Sequence, residues 1–170
     1  FPYTTLFRST DAVSCFVEEE RNGIYDLEMQ IPEQSKHFSD IKLERIILAK
    51  PNPEDDPQPF RIHRISKPMN GIVTVLANHI SYDLKGMPVN SFIANSCSIA
   101  VAKLKSESLI ACPFTFTTNI VSSTIMTVAK PYTIRDLMGG VRGSLIDTYG
   151  GEYKFDRFSV QLLSARGQDR

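Results

Sequence analysis

At 170 residues and 42% hydrophobic, the chain is long enough to bury a real core, as one domain or two small ones, and too apolar to be disordered. Lysine plus arginine and aspartate plus glutamate balance at 19 each, so no net field calls for nucleic acid, and no basic run with interleaved aromatics occurs. No apolar stretch approaches the roughly 18 to 20 residues needed to cross a bilayer as a helix, and no charged start with an apolar core marks a signal peptide.

The first nine residues, "FPYTTLFRS", are similar to one reading frame of a common short-read sequencing adapter. Tyr3, Thr4, Thr5 and Phe7 would also suit a strand. On the adapter reading, 1–9 is a non-native segment, the gene comes from a fragment of environmental DNA, and fold reasoning starts at Thr10. The far end, "SARGQDR", follows a strand without a closing element, which reads as a second truncation.

From Asp11 the chain is strand-rich. "DAVSCFVEEERNGIYDLEMQIP" holds two strands around Asn22-Gly23, a dipeptide that accommodates the two positive φ values of a tight hairpin turn. Beyond it, Tyr25, Leu27, Met29 and Ile31 alternate with Asp26, Glu28 and Gln30, one face buried and one wet. "KLERIILAK" is a third strand. "PNPEDDPQP" is a loop whose four prolines forbid regular pairing. "FRIHRISKP" and "GIVTVLANHISYDL" form a hairpin around "MNG", with Phe60 and Ile62 on one side and Arg61 and His63 on the other. These short links leave no room for the crossovers of a parallel sheet, so an antiparallel sheet curled toward a barrel is expected over 10–85.

The second half, 86–170, reads as a mixed helix/strand unit. "SFIANSCSIAVAKLKSES" predicts a helix from about Ser96 to Ser106, with Ile99, Val101, Ala102 and Leu104 as its apolar residues. "CPFTFTTNI" and "STIMTVAKP" return to strand chemistry. Thr133 is a candidate N-cap with Asp136 three residues on. The stretch "LMGGVRGSLIDTYGGEYKF", residues 137–155, carries five glycines. A phosphate-binding glycine loop runs from strand to helix and carries a lysine after its last glycine, and this stretch does neither. Its glycines therefore read as punctuation: Gly139 and Gly140 supplying positive φ after a helix, and Gly150 and Gly151 turning between two strands, followed by a closing hairpin through "FDRFSVQLLSAR".

No catalytic, cofactor-binding or metal-ligating residues are expected. Cys15, Cys97 and Cys112 are widely spaced and fit neither a disulfide framework nor a zinc site, so they read as small hydrophobes. His37, His63 and His79 are equally scattered; a cysteine–histidine pair would have to meet in space. Glu18, Glu19 and Glu20 read as a solvated strand end, and Glu54, Asp55 and Asp56 lack the alternating oxygens and the glycine of a calcium loop.

"NGIYDLEMQIP", "QPFRIHRISKPMNG", "VLANHISYDL", "TIRDLMGG" and "GSLIDTYGGEYKFDRFSVQLL", in that order and with the closing "RG", resemble the N-terminal region of phage and prophage tail proteins of Gram-positive hosts. The family includes the prophage endopeptidase tail proteins and tail-associated lysins. The resemblance runs from about residue 11 to the end. It implies a strand-rich α+β fold, with a β-barrel-like hub domain, a small mixed unit and an incomplete second barrel beginning near "FTFTT". It also implies a homotrimeric baseplate hub that closes the tail tube at the tip of the virion, made in the host cytoplasm. Its partners would be the distal tail protein and the tape-measure protein. Any peptidoglycan-cleaving module would lie beyond residue 170, so this stretch is expected to be no enzyme itself. The alternatives are a module binding host-surface carbohydrate or receptor, which would need exposed aromatics, and part of a cell-wall endopeptidase.

Overall fold

The structure, a computed structural model, describes residues 12–66 and 68–167; the adapter-like run 1–9 lies outside them. Two compact units follow one another, the first ending at Ile80 and the second starting at Ser81.

The first unit is one antiparallel sheet of five strands: β1 (Ser14–Glu19), β2 (Tyr25–Pro32), β3 (Ile46–Ala49), β4 (Gln58–Ile65) and β5 (Ile72–His79). Their spatial order is β1-β2-β5-β4-β3. The expected antiparallel architecture is present, as a half-barrel that leaves β1 and β3 as edges among the described residues. Alternation places the core on one face: Tyr25, Leu27, Met29 and Ile31 of β2, Phe60 and Ile62 of β4, and Val73, Val75 and Ala77 of β5 are all buried. Each large side chain taken out of water here contributes about 1.5–3 kcal/mol. Ile41, just after a short 3-10 turn at Phe38–Asp40, joins that core.

The two Asn-Gly dipeptides behave differently. At Met69-Asn70-Gly71-Ile72 both central residues have positive φ (52° and 73°), and Met69 and Ile72 exchange backbone hydrogen bonds of 2.9 and 3.0 Å, the tight hairpin turn. At Asn22-Gly23 only Asn22 has positive φ (55°), and the loop is wider, closed by Glu20 N–H donating to Ile24 O at 2.8 Å. Register explains the difference. The observed pairing sets Val17 opposite Leu27 and Cys15 opposite Met29. A two-residue turn centred on Asn22-Gly23 would shift this by one, bringing Glu18 and Glu20 onto the apolar face.

Two further expectations are corrected. The third strand begins only at Ile46, because Glu44 adopts φ 68° and breaks the extended run. The proline loop ends sooner than expected: Pro59 lies in β4 opposite Leu48, at the start of the strand where a missing N–H is tolerated. His63 falls at a bulge, where the pairing of β4 with β5 shifts between Ile62 and Arg64.

The second unit contains β6 (Pro88–Val89), β7 (Phe92–Ala94), α1 (Cys97–Ser106), β8 (Thr115–Thr118), β9 (Met126–Val128), β10 (Tyr132–Thr133), α2 (Ile134–Gly139), α3 (Leu145–Tyr149), β11 (Glu152–Asp156) and β12 (Ser159–Leu163). β6 pairs with β10 and β7 with β9, both antiparallel. β11, β12 and β8 form a three-stranded sheet in which β12 and β8 run parallel. The helix α1 starts where expected, with Ser96 Oγ accepting from Ile99 N. Its buried residues, however, are Cys97, Ala100, Val101 and Leu104, spaced as one helical face, so Ile99 and Ala102 point outward.

The glycine-rich stretch differs most from expectation. Thr133 does cap α2, its Oγ1 accepting from Asp136 N at 3.2 Å. Gly139 is still helical and Gly140 sits at φ −100°, so neither supplies positive φ. Residues 145–149 are not a strand but α3, capped by Ser144 Oγ, which accepts from Asp147 N at 3.3 Å. Ser144 and Asp147 form a cap pair of the same type as Thr133 and Asp136. Gly150 and Gly151 (φ 69° and 93°) do turn the chain, from α3 into β11.

Candidate functional site

The thiols and imidazoles are spread through the fold. Cys97 and Cys112 belong to the second unit, which contains no histidine. Cys97 is buried on α1, its Sγ 3.7 Å from Thr118 Oγ1, and burial pushes its pKa up, away from the reactive thiolate. Cys15 lies on the core-facing side of edge strand β1; its residue is exposed overall, yet partial burial of the thiol raises its pKa too. His79 is fully buried, with Nε2 3.4 Å from Gln58 Oε1, its ring stacked on Tyr25 at 4.4 Å and edge-on to Phe60 at 5.6 Å. This polar group is held as part of the first unit's core. His37 lies 3.8 Å from Asp40, half-exposed, and His63 is exposed at the bulge.

The acidic runs also have local partners. Asn52 Oδ1 accepts from the backbone N–H groups of Glu54 and Asp55 at 2.9 and 2.7 Å, and Asn52 Nδ2 donates to Asp55 Oδ2 at 2.6 Å. The asparagine side chain thus folds the 51–57 loop upon itself. Among the described residues, no group of three or more histidine, cysteine, aspartate or glutamate side chains is placed to hold a metal ion. At the start of α3, Asp147 Oδ2 accepts from Gly143 N at 2.6 Å, just ahead of the Ser144 cap.

One cluster has no sequence signature. The Arg135 guanidinium lies over the Tyr82 ring at 4.9 Å and the Phe155 ring at 5.9 Å, and Lys85 Nζ approaches Tyr82 at 5.3 Å. Residues 82, 135 and 155 are too far apart in sequence for spacing to have linked them.

The features that present themselves to other molecules are sheet edges and exposed apolar side chains. In the first unit these include Val13 and Phe16 (69% exposed) at β1, Leu43 just before β3, and Met69 at the hairpin turn. In the second, Ile93 on β7 and Ile125 beside β9 project outward. Unpaired strand edges flanked by apolar side chains are a surface for pairing with another chain.

The class is therefore a strand-rich α+β fold, a half-barrel sheet followed by small helix/strand units. Among solved structures, the chain is similar to the crystal structure of prophage tail protein gp18 from Listeria monocytogenes EGD-e, with a TM-score of 0.61 and 14% identity. The match covers 94% of this chain and 45% of that one, so the chain spans less than half the length of its neighbour. At this identity the likeness establishes a shared fold. Neither a family model nor a curated protein matches the sequence.

Proposed function

We propose that this chain is a structural part of a bacteriophage or prophage tail, namely the N-terminal portion of a baseplate hub at the tail tip. The observation that carries this reading is the fold likeness to a prophage tail protein over 94% of the chain. The ordered series of segments that resembles tail proteins of Gram-positive hosts agrees with it. On this reading the chain works as a trimer in the virion, after synthesis in the host cytoplasm, beneath the distal tail protein and around the end of the tape-measure protein. On this reading it carries no chemistry of its own, and any wall-cleaving module would lie beyond residue 170. The test is sedimentation velocity of the chain extended to its natural hub boundaries, alone and with the distal tail protein encoded beside it. Trimers and a stable complex are expected. A monomer that binds no tail protein at high micromolar concentration overturns the proposal.

A further inference from the structure

We propose that His79 is an acid-sensitive latch of the first unit: neutral, it locks the start of β4 and the 51–57 loop onto the core, and once protonated it leaves the core and lets both open. The ring stands at the end of β5 with no solvent exposure. Tyr25 of β2 stacks on it at 4.4 Å, and Phe60 of β4, its cross-strand partner, meets it edge-on at 5.6 Å.

The hydrogen bonds give the switch its direction. Gln58, itself buried at the start of β4, donates from Nε2 to Asp56 O at 3.1 Å, which turns the amide so that Oε1 faces the imidazole. Oε1 can only accept, so His79 Nε2 carries the proton of the neutral ring and a second proton must go to Nδ1. The bond to Gln58 survives that step. What fails is burial, because a cation in a site without exposure gives up its hydration. Moving the ring into water restores the hydration, and it takes from Gln58 the partner that ties the loop, through Asp56 O, to the core.

Charged and titratable groups border the site. On the core side, Glu19 of β1 lies opposite Tyr25, whose ring covers His79. On the outer side, Asp26 and Arg61 both lie opposite Asn78, the residue before His79. β3 brings no charged residue, and Glu54, Asp55 and Asp56 belong to the loop, Asp56 reaching the site through its main-chain oxygen. All of these remain when His79 is replaced, so their titration cancels between wild type and variant. The unfolded chain takes up the histidine proton near the ordinary value of about 6.5 and the closed unit does not. The latch is therefore fully effective above that pH and loses its hold as pH falls below it.

Hydrogen exchange of the 170-residue chain, followed by mass spectrometry, reads the opening segment by segment. Wild type is compared with His79→Phe, which keeps an aromatic ring in the slot, and with His79→Gln, which keeps a donor toward Gln58; circular dichroism confirms that each folds. Taking the ratio of wild-type to variant exchange rates at each pH removes the intrinsic pH dependence of exchange. From about pH 7.5 to about pH 5 that ratio is expected to rise about 30-fold in peptides covering 51–60 and 72–80. Proton NMR of the wild-type imidazole tests the same point without a substitution: the ring should stay neutral at about pH 5.5 in the closed unit. A ratio that stays flat, or a His79 ring that titrates near 6.5 while 51–60 remain protected, overturns the inference. Because the latch lies wholly within the first unit, its failure leaves the hub reading standing, and a monomer that binds no tail protein leaves the latch standing.

Discussion

Replacing Tyr153 by phenylalanine isolates one buried group whose effect reverses sign with pH. Tyr153 sits on β11 at 5% exposure, and its hydroxyl donates to Met138 O at 2.9 Å, tying the sheet to the end of α2. Loss of that bond leaves a carbonyl underused and costs about 1 kcal/mol at neutral pH. Burial, with a smaller contribution from nearby Cys97, pushes the phenol pKa far above its ordinary 10.0, and Arg135 only partly opposes this. A folded-state pKa raised above the unfolded value means stability is complete below the unfolded pKa and lost as pH rises above it. The unfolded chain releases the proton near pH 10 while the folded chain holds it, so the wild type loses stability from this group between about pH 10 and pH 12, on the order of 1.4 kcal/mol per pH unit. Tyr149, also shifted upward, titrates in both proteins and cancels in the difference. Tyr153→Phe should therefore be the less stable protein at about pH 8 and the more stable one at about pH 12, with the two curves crossing in between. Urea unfolding followed by far-UV circular dichroism across this range measures both. Parallel curves that never cross would refute a buried, protonated Tyr153.

Five further substitutions probe local geometry through the urea midpoint. Gly151→Ala is expected to cost about 3 kcal/mol or more, since a Cβ would lie 2.6 Å from Leu163 O at φ 93°. At Gly150 the same change meets open space at φ 69° and should cost about 1–3 kcal/mol, so equal losses at the two sites would show that crowding at Gly151 is absent. Ser144→Ala should cost about 1 kcal/mol by uncapping α3, and an unchanged midpoint would mean that residues 145–149 are not helical. Gly71→Ala should cost about 1 kcal/mol through its positive φ, while Gly86→Ala, unstrained and in open space, should stay within about 0.5 kcal/mol of wild type.

The first unit was legible in the sequence because its signals are short-range. Alternation in β2, β4 and β5 fixes which face is buried, and Asn70-Gly71 marks its own turn. At Asn22-Gly23 the dipeptide states what a turn permits, whereas the register is decided by where Val17 and Glu18 must point. The same limit operates in the glycine-rich stretch. "SLIDTY" mixes β-branched and helix-forming residues, and its helix is decided by the Ser144 and Asp147 cap and by the burial of Leu145. In α1 residue type alone does not give the buried face: Ile99 is apolar yet falls outside the face set by Cys97, Ala100, Val101 and Leu104. Long-range facts left no local trace: the parallel pairing of β8 with β12, some forty residues apart, and the stacking of Arg135 on Tyr82 and Phe155.

That stacking bears on what kind of surface this protein offers. A site for host sugars built on aromatic platforms needs ring faces open to solvent. Tyr82 has cations against its ring from Arg135 and Lys85, and Phe155 is approached by the same guanidinium, so these rings are engaged within the unit. Among the described residues, the aromatic side chain that is exposed is Phe16, and it stands on an edge strand between acidic neighbours rather than in a concave cleft. An exposed ring on an open strand gains more from a facing apolar strand than from a sugar, because backbone pairing and side-chain burial are then satisfied by the same neighbour. The aromatic distribution thus favours a chain whose surface is completed by other protein.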